Sequence, residues 1–556
     1  MSSLAELADA PLDLLVVGGG VTGCGAALDA ASRGLRVGLV EQGDLGSGTS
    51  SRSSRLVHGG LRYLEQFQFG LVREALRERR LLLERIAPHL VRPVPFLCPL
   101  TRPAWERAYM GAGLALYDAL AGASGVPRHR HLGRASTLAQ APALHPGRVT
   151  GAIRYFDAQV DDARLTVALA RTAERHGALI VPGARVDAVR TEGDRPLVEV
   201  ADAETGEQVR LRPRRVLFAV GPWTGLAGER FGLSGGLRVA MSKGVHLVVD
   251  RSAIETSTAV IGRTPNSVLF LIPWGDRVIV GTTDTPWPAA PGEVAATSAD
   301  VDYLIGQANR LLARPIGRAD VISTYAGVRP LVSAKSAGST ASISREHVVV
   351  RQAPGVFAVA GGKLTTYRVM AADAVDAAFQ GEEIAPSQTH RLPLLGAAWY
   401  AATRAGAERL AERSGLDSAA IGRLLRRYGD ETEDLLDQAR AVPGLLEPLA
   451  GAPRHLRAEV VWAARHEKAR HLADVLVRRL RVATETPDRG ETAAADAAAL
   501  MAAELGWSGE RVSAEVDDYL RQVRAEREAL AVSDDREAAS LMADLSRQAV
   551  RESGHE

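Results

Sequence analysis

The stretch LDLLVVGGGVTGCGAALDAASRGLRVGLVE, residues 12–41, decides the fold. Its apolar run LDLLVV is broken by three glycines, TGCGAALDAASR (22–33) has the composition of a helix stopped by Gly34, and LRVGLV follows at once as a second strand. A strand, a tight turn, a helix and a strand open a parallel α/β sheet. Gly18, Gly20 and Gly23 spell G-x-G-x-x-G between the first strand and the helix. Gly18 permits the tight turn, Gly20 lets backbone approach a diphosphate, and Gly23 lets helix pack on sheet, while the helix N-terminus offers amide hydrogens and a positive dipole end. Glu41 ends the next strand, where a carboxylate accepts from a ribose 2′-hydroxyl and repels a 2′-phosphate. That disfavours NADP and leaves NAD or FAD.

Working outward, GDLGSGTSSRSSRLVHGG (43–60) is too rich in Gly and Ser for a regular element. Thr49, Ser50 and Ser51, with Gly46, Ser47 and Gly48 before them, offer hydrogen bonds to a diphosphate and a ribityl chain, which NAD lacks. Two further apolar strands end in close-approach loops, VLFAV into Gly221-Pro222 and VFAVA into Gly361-Gly362. One cofactor touched by segments so far apart in the chain must be long, so FAD is expected, held without a covalent bond.

The chain has 556 residues, enough for a large core and more than one domain. Hydrophobic residues at 46%, charged ones at 24% and a net charge of +1 exclude a disordered chain and give no sign of nucleic-acid binding. Cys24 and Cys98 cannot build a disulfide framework or a thiolate zinc site, which fits a reducing cytoplasmic compartment and no metal. The N-terminus lacks a basic secretory start, and no window approaches the about 20 uninterrupted apolar residues of a membrane span. Only Lys243, Lys335, Lys363 and Lys468 are lysines, so a lysine in a glycine-bounded motif hints that a point charge is wanted there.

The region 151–390 alternates short apolar runs with turns, whereas Ala, Leu, Arg and Glu at helical spacing dominate beyond about 391. The expectation is a Rossmann-like FAD-binding α/β fold interleaved with a mixed α+β, strand-rich substrate-binding subdomain over 1–390, and an all-helical C-terminal cap over 391–556. The arginines of a helix at 71–86, and the alternating Arg and Glu of the tail, read as solvated faces.

The motifs TSSRSSRLVHGGLRYLE (49–65), YFDAQVDDARL (155–165), SKGVHLVV (242–249), GTTD (281–284), AGVRPL (326–331) and GGKLTTYR (361–368) closely resemble those of FAD-dependent glycerol-3-phosphate dehydrogenase. The resemblance covers about 14–370, and the tail is similar to that family's C-terminal cap. It implies oxidation of sn-glycerol 3-phosphate to dihydroxyacetone phosphate, with electrons passed on to a membrane quinone. It also puts Gly221, Gly362, Lys363, Leu364 and Thr365 on the cofactor.

A dianionic phosphate needs fixed cations, and Arg62 and Arg329 stand in glycine-flanked motifs where a guanidinium can present two parallel donors. Removing the alcohol proton suits a histidine, for which His58 and His246 are the two candidates, with His246 also near substrate. Tyr63 can donate to a substrate oxygen, and Lys363 can stabilise reduced flavin. The rival readings are an oxidase that returns electrons to oxygen as hydrogen peroxide and an idle flavin-binding scaffold.

Weaker signals remain. Gly232, Ser234 and Gly236 formally spell a hydrolase elbow but follow no strand. The histidine pairs His129/His131 and His466/His471 lack partners for a metal. Val91 to Ala121 carries Trp105, Tyr109, Ala112 and Leu116 on one helix face, which reads either as core packing or as peripheral attachment to the cytoplasmic face of a membrane. The tail's job stays open between capping, binding a partner and building a homodimer.

Overall fold

The computed structural model describes residues 3–102, 105–122, 125–193, 195–233, 237–264, 268–332 and 347–552, without the side chains of 545–552; Lys335, Ser234 and Gly236 lie outside the described residues. The quoted N-terminal stretch folds as expected, with strands at Leu14–Val17 and Val37–Glu41 and a helix at Val21–Ser32. All four residues of the first strand are buried, as a parallel strand covered on both faces requires. In the helix only Thr22 and Ser32 escape full burial. Its small residues let it pack against Asp162–Arg175 on one side and Tyr367–Ala378 on the other.

These strands sit in a six-stranded sheet ordered His347–Ala353, Val356–Gly361, Arg215–Phe218, Leu14–Val17, Val37–Glu41, Leu179–Pro182. Every neighbouring pair is parallel except the His347–Ala353 edge. The chain order reverses between Leu14–Val17 and Arg215–Phe218, which opens a crevice at the carboxyl ends of those strands.

Two long excursions from this sheet, at 56–160 and 239–332, build a second, ten-stranded sheet. Its decisive pairing is antiparallel, Val239–Asp250 against Val321–Val332, with Ser242 opposite Arg329, Gly244 opposite Gly327 and His246 opposite Tyr325. Directly paired residues share a face, so the period of two brings the SKGVH and AGVRPL motifs onto one surface. The tail is helical from Tyr400 onward apart from one two-stranded ribbon, Pro448–Leu449 with Ala452–Leu456.

Three expectations change. The 71–86 helix is α-helical over Phe69–Leu81 and π-helical over Leu82–Ile86, and its arginines do not all face water: Arg79 is buried and donates to Asp157 at 2.6 Å. A lone charge costs too much to bury, so Arg79 is carried in by its carboxylate. Residues 91–100 form a strand paired along its length with Gly151–Val160, while the following helix, Trp105–Ala121, leaves Trp105, Tyr109 and Leu116 exposed at 60%, 51% and 40%. The stripe is therefore not core packing. Finally, Arg478, Arg479 and Arg481 of the tail are buried in ion pairs with Asp44, Asp161 and Asp162.

Candidate active site

A cavity of about 950 Å³ runs from the glycine turn of the first sheet to the shared face of the second. At the first end, Gly18 has φ +111°, and a Cβ there would lie 2.7 Å from the carbonyl oxygen of Ala219. Gly18 and Gly20 line the cavity; Gly23 does not, and serves the close approach of helix to turn. Glu41 accepts from the amides of Gly19 (2.6 Å) and Gly43 (2.9 Å) at the cavity wall, and its burial pushes its carboxyl up despite those two donors.

Within the serine-rich loop, Ser47, Gly48, Thr49 and Ser50 line the cavity. Thr49 Oγ1 donates to the Val328 carbonyl at 2.6 Å, and Ser50 Oγ accepts from Val21 N, at the start of the nucleotide helix, at 2.9 Å. Ser51 is a correction: it is buried off the cavity, because consecutive residues of the Thr49–Ser51 turn point in different directions. Gly221, Gly362, Lys363, Leu364 and Thr365 complete the wall where two strands of the first sheet end. Gly221 and Gly362 both adopt positive φ, at +52° and +78°.

At the second end the motifs meet. His58 N donates to Thr365 Oγ1 and Thr365 Oγ1 donates to the His58 carbonyl, both at 3.1 Å, tying LVHGG to GGKLTTYR. Lys363 Nζ lies 3.7 Å from the centre of the Tyr63 ring, so this lysine turns into the protein rather than to solvent. Arg329 donates to Thr282 Oγ1 (2.9 Å) and the Thr283 carbonyl (3.2 Å), beside Asp284 at 3.5 Å. Gly244 and Gly281 make room, since a Cβ on the first would collide with Arg329 and on the second with His246. Arg62 and Tyr63 line the same space, Arg62 half-buried.

Both histidine candidates line the cavity, in different settings. His246 is buried, its ring stacked on Tyr325 with centres 4.7 Å apart, and its Nε2 shares a hydrogen bond of 2.8 Å with Ser54 Oγ. Among the described residues its Nδ1 has no hydrogen-bond partner. Burial, with the cations Arg329 and Arg55 nearby, holds this imidazole well below its ordinary value and so neutral. His58 is half-buried.

Several residues in the cavity wall or packed behind it were not singled out in the sequence although they lie inside or beside the quoted motifs. Ser54 orients His246; Tyr325, just before AGVRPL, stacks on it; Asp284 of GTTD pairs Arg329. Asp157 of YFDAQVDD accepts from Tyr117 Oη (2.8 Å), Gly59 N (3.2 Å) and Arg79, behind His58. Arg52 also lines the cavity and donates to the Ala326 carbonyl at 3.2 Å; burial lowers its pKa. Among the described residues, no group of three or more His, Cys, Asp or Glu side chains could hold a metal.

A long cavity, walled at one end by a glycine cradle and a helix N-terminus and at the other by cations and a neutral histidine, fits a dinucleotide. Fold and site together define a flavin-type oxidoreductase. A family model described as "FAD dependent oxidoreductase" matches residues 13–377, and one described as "C-terminal domain of alpha-glycerophosphate oxidase" matches 387–512. The chain is 48% identical over 534 residues to glycerol-3-phosphate dehydrogenase 2 of Mycobacterium tuberculosis, covering 96% of this chain and 91% of that one. It is 34% identical over 539 residues to the mitochondrial glycerol-3-phosphate dehydrogenase of Homo sapiens, covering 92% and 72%. The crystal structure of glycerol-3-phosphate dehydrogenase from Bacillus halodurans, complexed with FAD, superposes with a TM-score of 0.78 at 28% identity over 94% of this chain and 96% of that one. The chain belongs to the FAD-dependent oxidoreductases and, within them, to the glycerol-3-phosphate dehydrogenase family.

Proposed function

We propose that this cavity oxidises sn-glycerol 3-phosphate to dihydroxyacetone phosphate. The observation that carries the reading is the joining, in one cavity, of the glycine cradle with Arg62, Arg329, Lys363 and a neutral, buried His246. Gly18, Gly20, Glu41, Thr49, Ser50, Gly221 and the 362–365 turn hold FAD, which when bound supplies a hydride acceptor. Arg329, fixed by Thr282 and Thr283, and Arg62 bind the phosphate dianion as charge-assisted donors. His246, with Nδ1 unpartnered among the described residues and Nε2 on Ser54, accepts the proton of the substrate hydroxyl, a task that needs the neutral imidazole. Tyr63 donates to a substrate oxygen, and Lys363 adds positive charge where the reduced cofactor is anionic.

The acceptor is inferred to be a membrane quinone reached from the cytoplasmic face. Support comes from the exposed stripe of Trp105, Tyr109 and Leu116, with Phe67 and Phe69 also exposed, on a protein in which no helix among the described residues is long and apolar enough to cross a membrane. The division of the chain near residue 390 is part of the same reading.

The test is anaerobic: sn-glycerol 3-phosphate should bleach the oxidised flavin absorbance, and glycerol should not. A yellow protein that stays yellow sinks the substrate. Reduction of a quinone analogue against peroxide production separates dehydrogenase from oxidase, and failure to sediment with liposomes at low salt counts against the membrane surface.

A further inference from the structure

The arginines Arg478, Arg479 and Arg481 are remote in sequence from every cavity motif, yet they grip the back of the loop whose front lines the cavity. Arg479 donates to Asp44 at 2.6 and 2.7 Å, and Arg478 pairs with the same carboxylate. Arg481, 2% exposed and in the left-handed region at φ +69°, reaches furthest. Its Nη1 donates to the Ser51 carbonyl at 2.8 Å, its Nε and Nη2 to Asp161 at 3.2 and 3.0 Å, and its Nη2 also to Asp162. These are the last two aspartates of YFDAQVDD.

From Asp162 the bonds run directly to the active site. Its Oδ2 accepts from Ser53 N (2.9 Å) and Ser53 Oγ (2.6 Å), and the Ser53 carbonyl accepts from Tyr325 Oη at 3.1 Å. The next residue is Ser54, bonded to His246 Nε2, and Tyr325 is the ring on which His246 stacks. The same tail segment clasps the strand that carries Arg329: Ser323 Oγ donates to the Thr484 carbonyl at 2.7 Å, and Arg489 donates to Thr324 Oγ1 at 2.9 Å. Burial pushes Asp161 up, and Arg481 and Arg427 more than offset it, so the carboxylate stays ionised. A cluster of buried charges on this scale is weak evidence for stability by itself, because desolvation consumes most of the Coulomb gain. Its geometry is specific, with one planar fork spread over three acceptors, which an ammonium cannot reproduce.

We propose that Arg481 is a positioning residue for the redox site: by holding the Ser51 carbonyl and, through Asp162, Ser53, it fixes the loop so that Ser54 meets His246. The helical tail thereby completes the active site rather than only covering it. The proposal rests on the reading of His246 as proton acceptor in an FAD site, and its test separates the two.

Full-length Arg481→Lys is compared with Arg171→Lys, which breaks another fork to the tail, on Glu431 at 2.7 Å, without touching the loop. Arg481→Lys should keep its FAD and lose about tenfold in kcat for sn-glycerol 3-phosphate with KM within about twofold, whereas Arg171→Lys should stay within about twofold of the parent in both. Ser53→Ala, which removes the shorter of the two Ser53 bonds to Asp162 and leaves the one from the Ser53 amide, should lose about threefold or more in kcat, and the double variant should lose no more than the larger single one. The second readout needs no substrate. In protein labelled with 15N-histidine, the His246 ring resonances, assigned by their loss in His246→Asn, should move in Arg481→Lys and stay put in Arg171→Lys. If the parent flavin is not reduced by sn-glycerol 3-phosphate but those resonances move, the substrate reading fails and the positioning role stands. A flavin-replete Arg481→Lys with kcat within about twofold of the parent and unmoved His246 resonances overturns it. Should Arg481→Lys not accumulate, Ser53→Ala decides alone, and parental kcat there overturns it.

Discussion

Replacing Gly23 by alanine strains the glycine turn proposed to hold FAD at its tightest point. An ideal Cβ at Gly23 would sit 1.9 Å from the carbonyl oxygen of Gly18 and 3.4 Å from the Cβ of Ala219. Real Cβ atoms essentially never come within 3.0 Å of another heavy atom, so helix and turn must part by about 1 Å, the strained geometry that overpacking produces. Gly18 cannot yield the space, because its φ of +111° backs it onto the Ala219 carbonyl. Overpacking costs about 1–3 kcal/mol of stability. The same displacement lifts the helix N-terminus away from the diphosphate, and hydrogen bonds to a charged group are worth about 1.5–3 kcal/mol each. Loss of two weakens FAD binding by about 3–6 kcal/mol, or about 10² to 10⁴ in Kd. Flavin content after purification, followed by fluorescence titration of the apoprotein with FAD, measures this directly. Gly306→Ala is the control, in the Ser298–Asn309 helix where a Cβ meets nothing within 4 Å; it should leave FAD affinity unchanged and gain about 0.5–1 kcal/mol. A Gly23→Ala protein that binds FAD within about fivefold of the parent Kd refutes the reasoning.

Arg329→Ala should raise the KM for sn-glycerol 3-phosphate about 10²-fold or more with little change in kcat, since its phosphate contact is made equally in ground and transition states; unchanged KM in steady-state assays with an artificial acceptor removes Arg329 from the substrate site. His246→Asn should retain FAD and lower kcat about 10² to 10⁴-fold, and because the folded pKa of His246 lies well below 6.5 the parent's kcat should show no acid limb from pH 8 down through 6.5. A limb at or above 6.5, or His246→Asn and His58→Asn variants that both keep kcat, defeats the assignment of the base. His89, pushed down to about 3 by burial and by Arg164, binds its proton only in the unfolded chain between pH 6.5 and that value, so stability falls as pH drops. The loss is about 2 kcal/mol between pH 7 and pH 5, and urea unfolding of His89→Gln at the two pH values should show the parent's pH dependence reduced by that amount.

The legible part of the site was the part written in adjacent residues. Gly18, Gly20 and Gly23 announce a turn because only glycine tolerates that φ and that approach, and Glu41 follows from the length of one helix and one strand. Ser51 was misread for a local reason: a run of three similar residues does not say which of them faces inward. Ser54, Asp157 and Tyr325 stood within or beside the quoted motifs, but their roles depend on pairings across 192, 98 and 272 residues.

The sequence by itself determined the α/β opening, the glycine turn, the long cofactor and the set of motifs that meet in the cavity, because hydrophobic period, glycine conformation and helix ends are properties of neighbouring residues. Only the tertiary structure decided which histidine is buried and neutral, and that the Trp105–Leu116 stripe faces outward. It also decided that Arg79 and Arg481 are desolvated partners rather than members of a solvated face. Those outcomes follow from strand register and from the burial of charge, and both are sums over contacts distant in the chain; a buried arginine and a solvated one are spelled with the same letter.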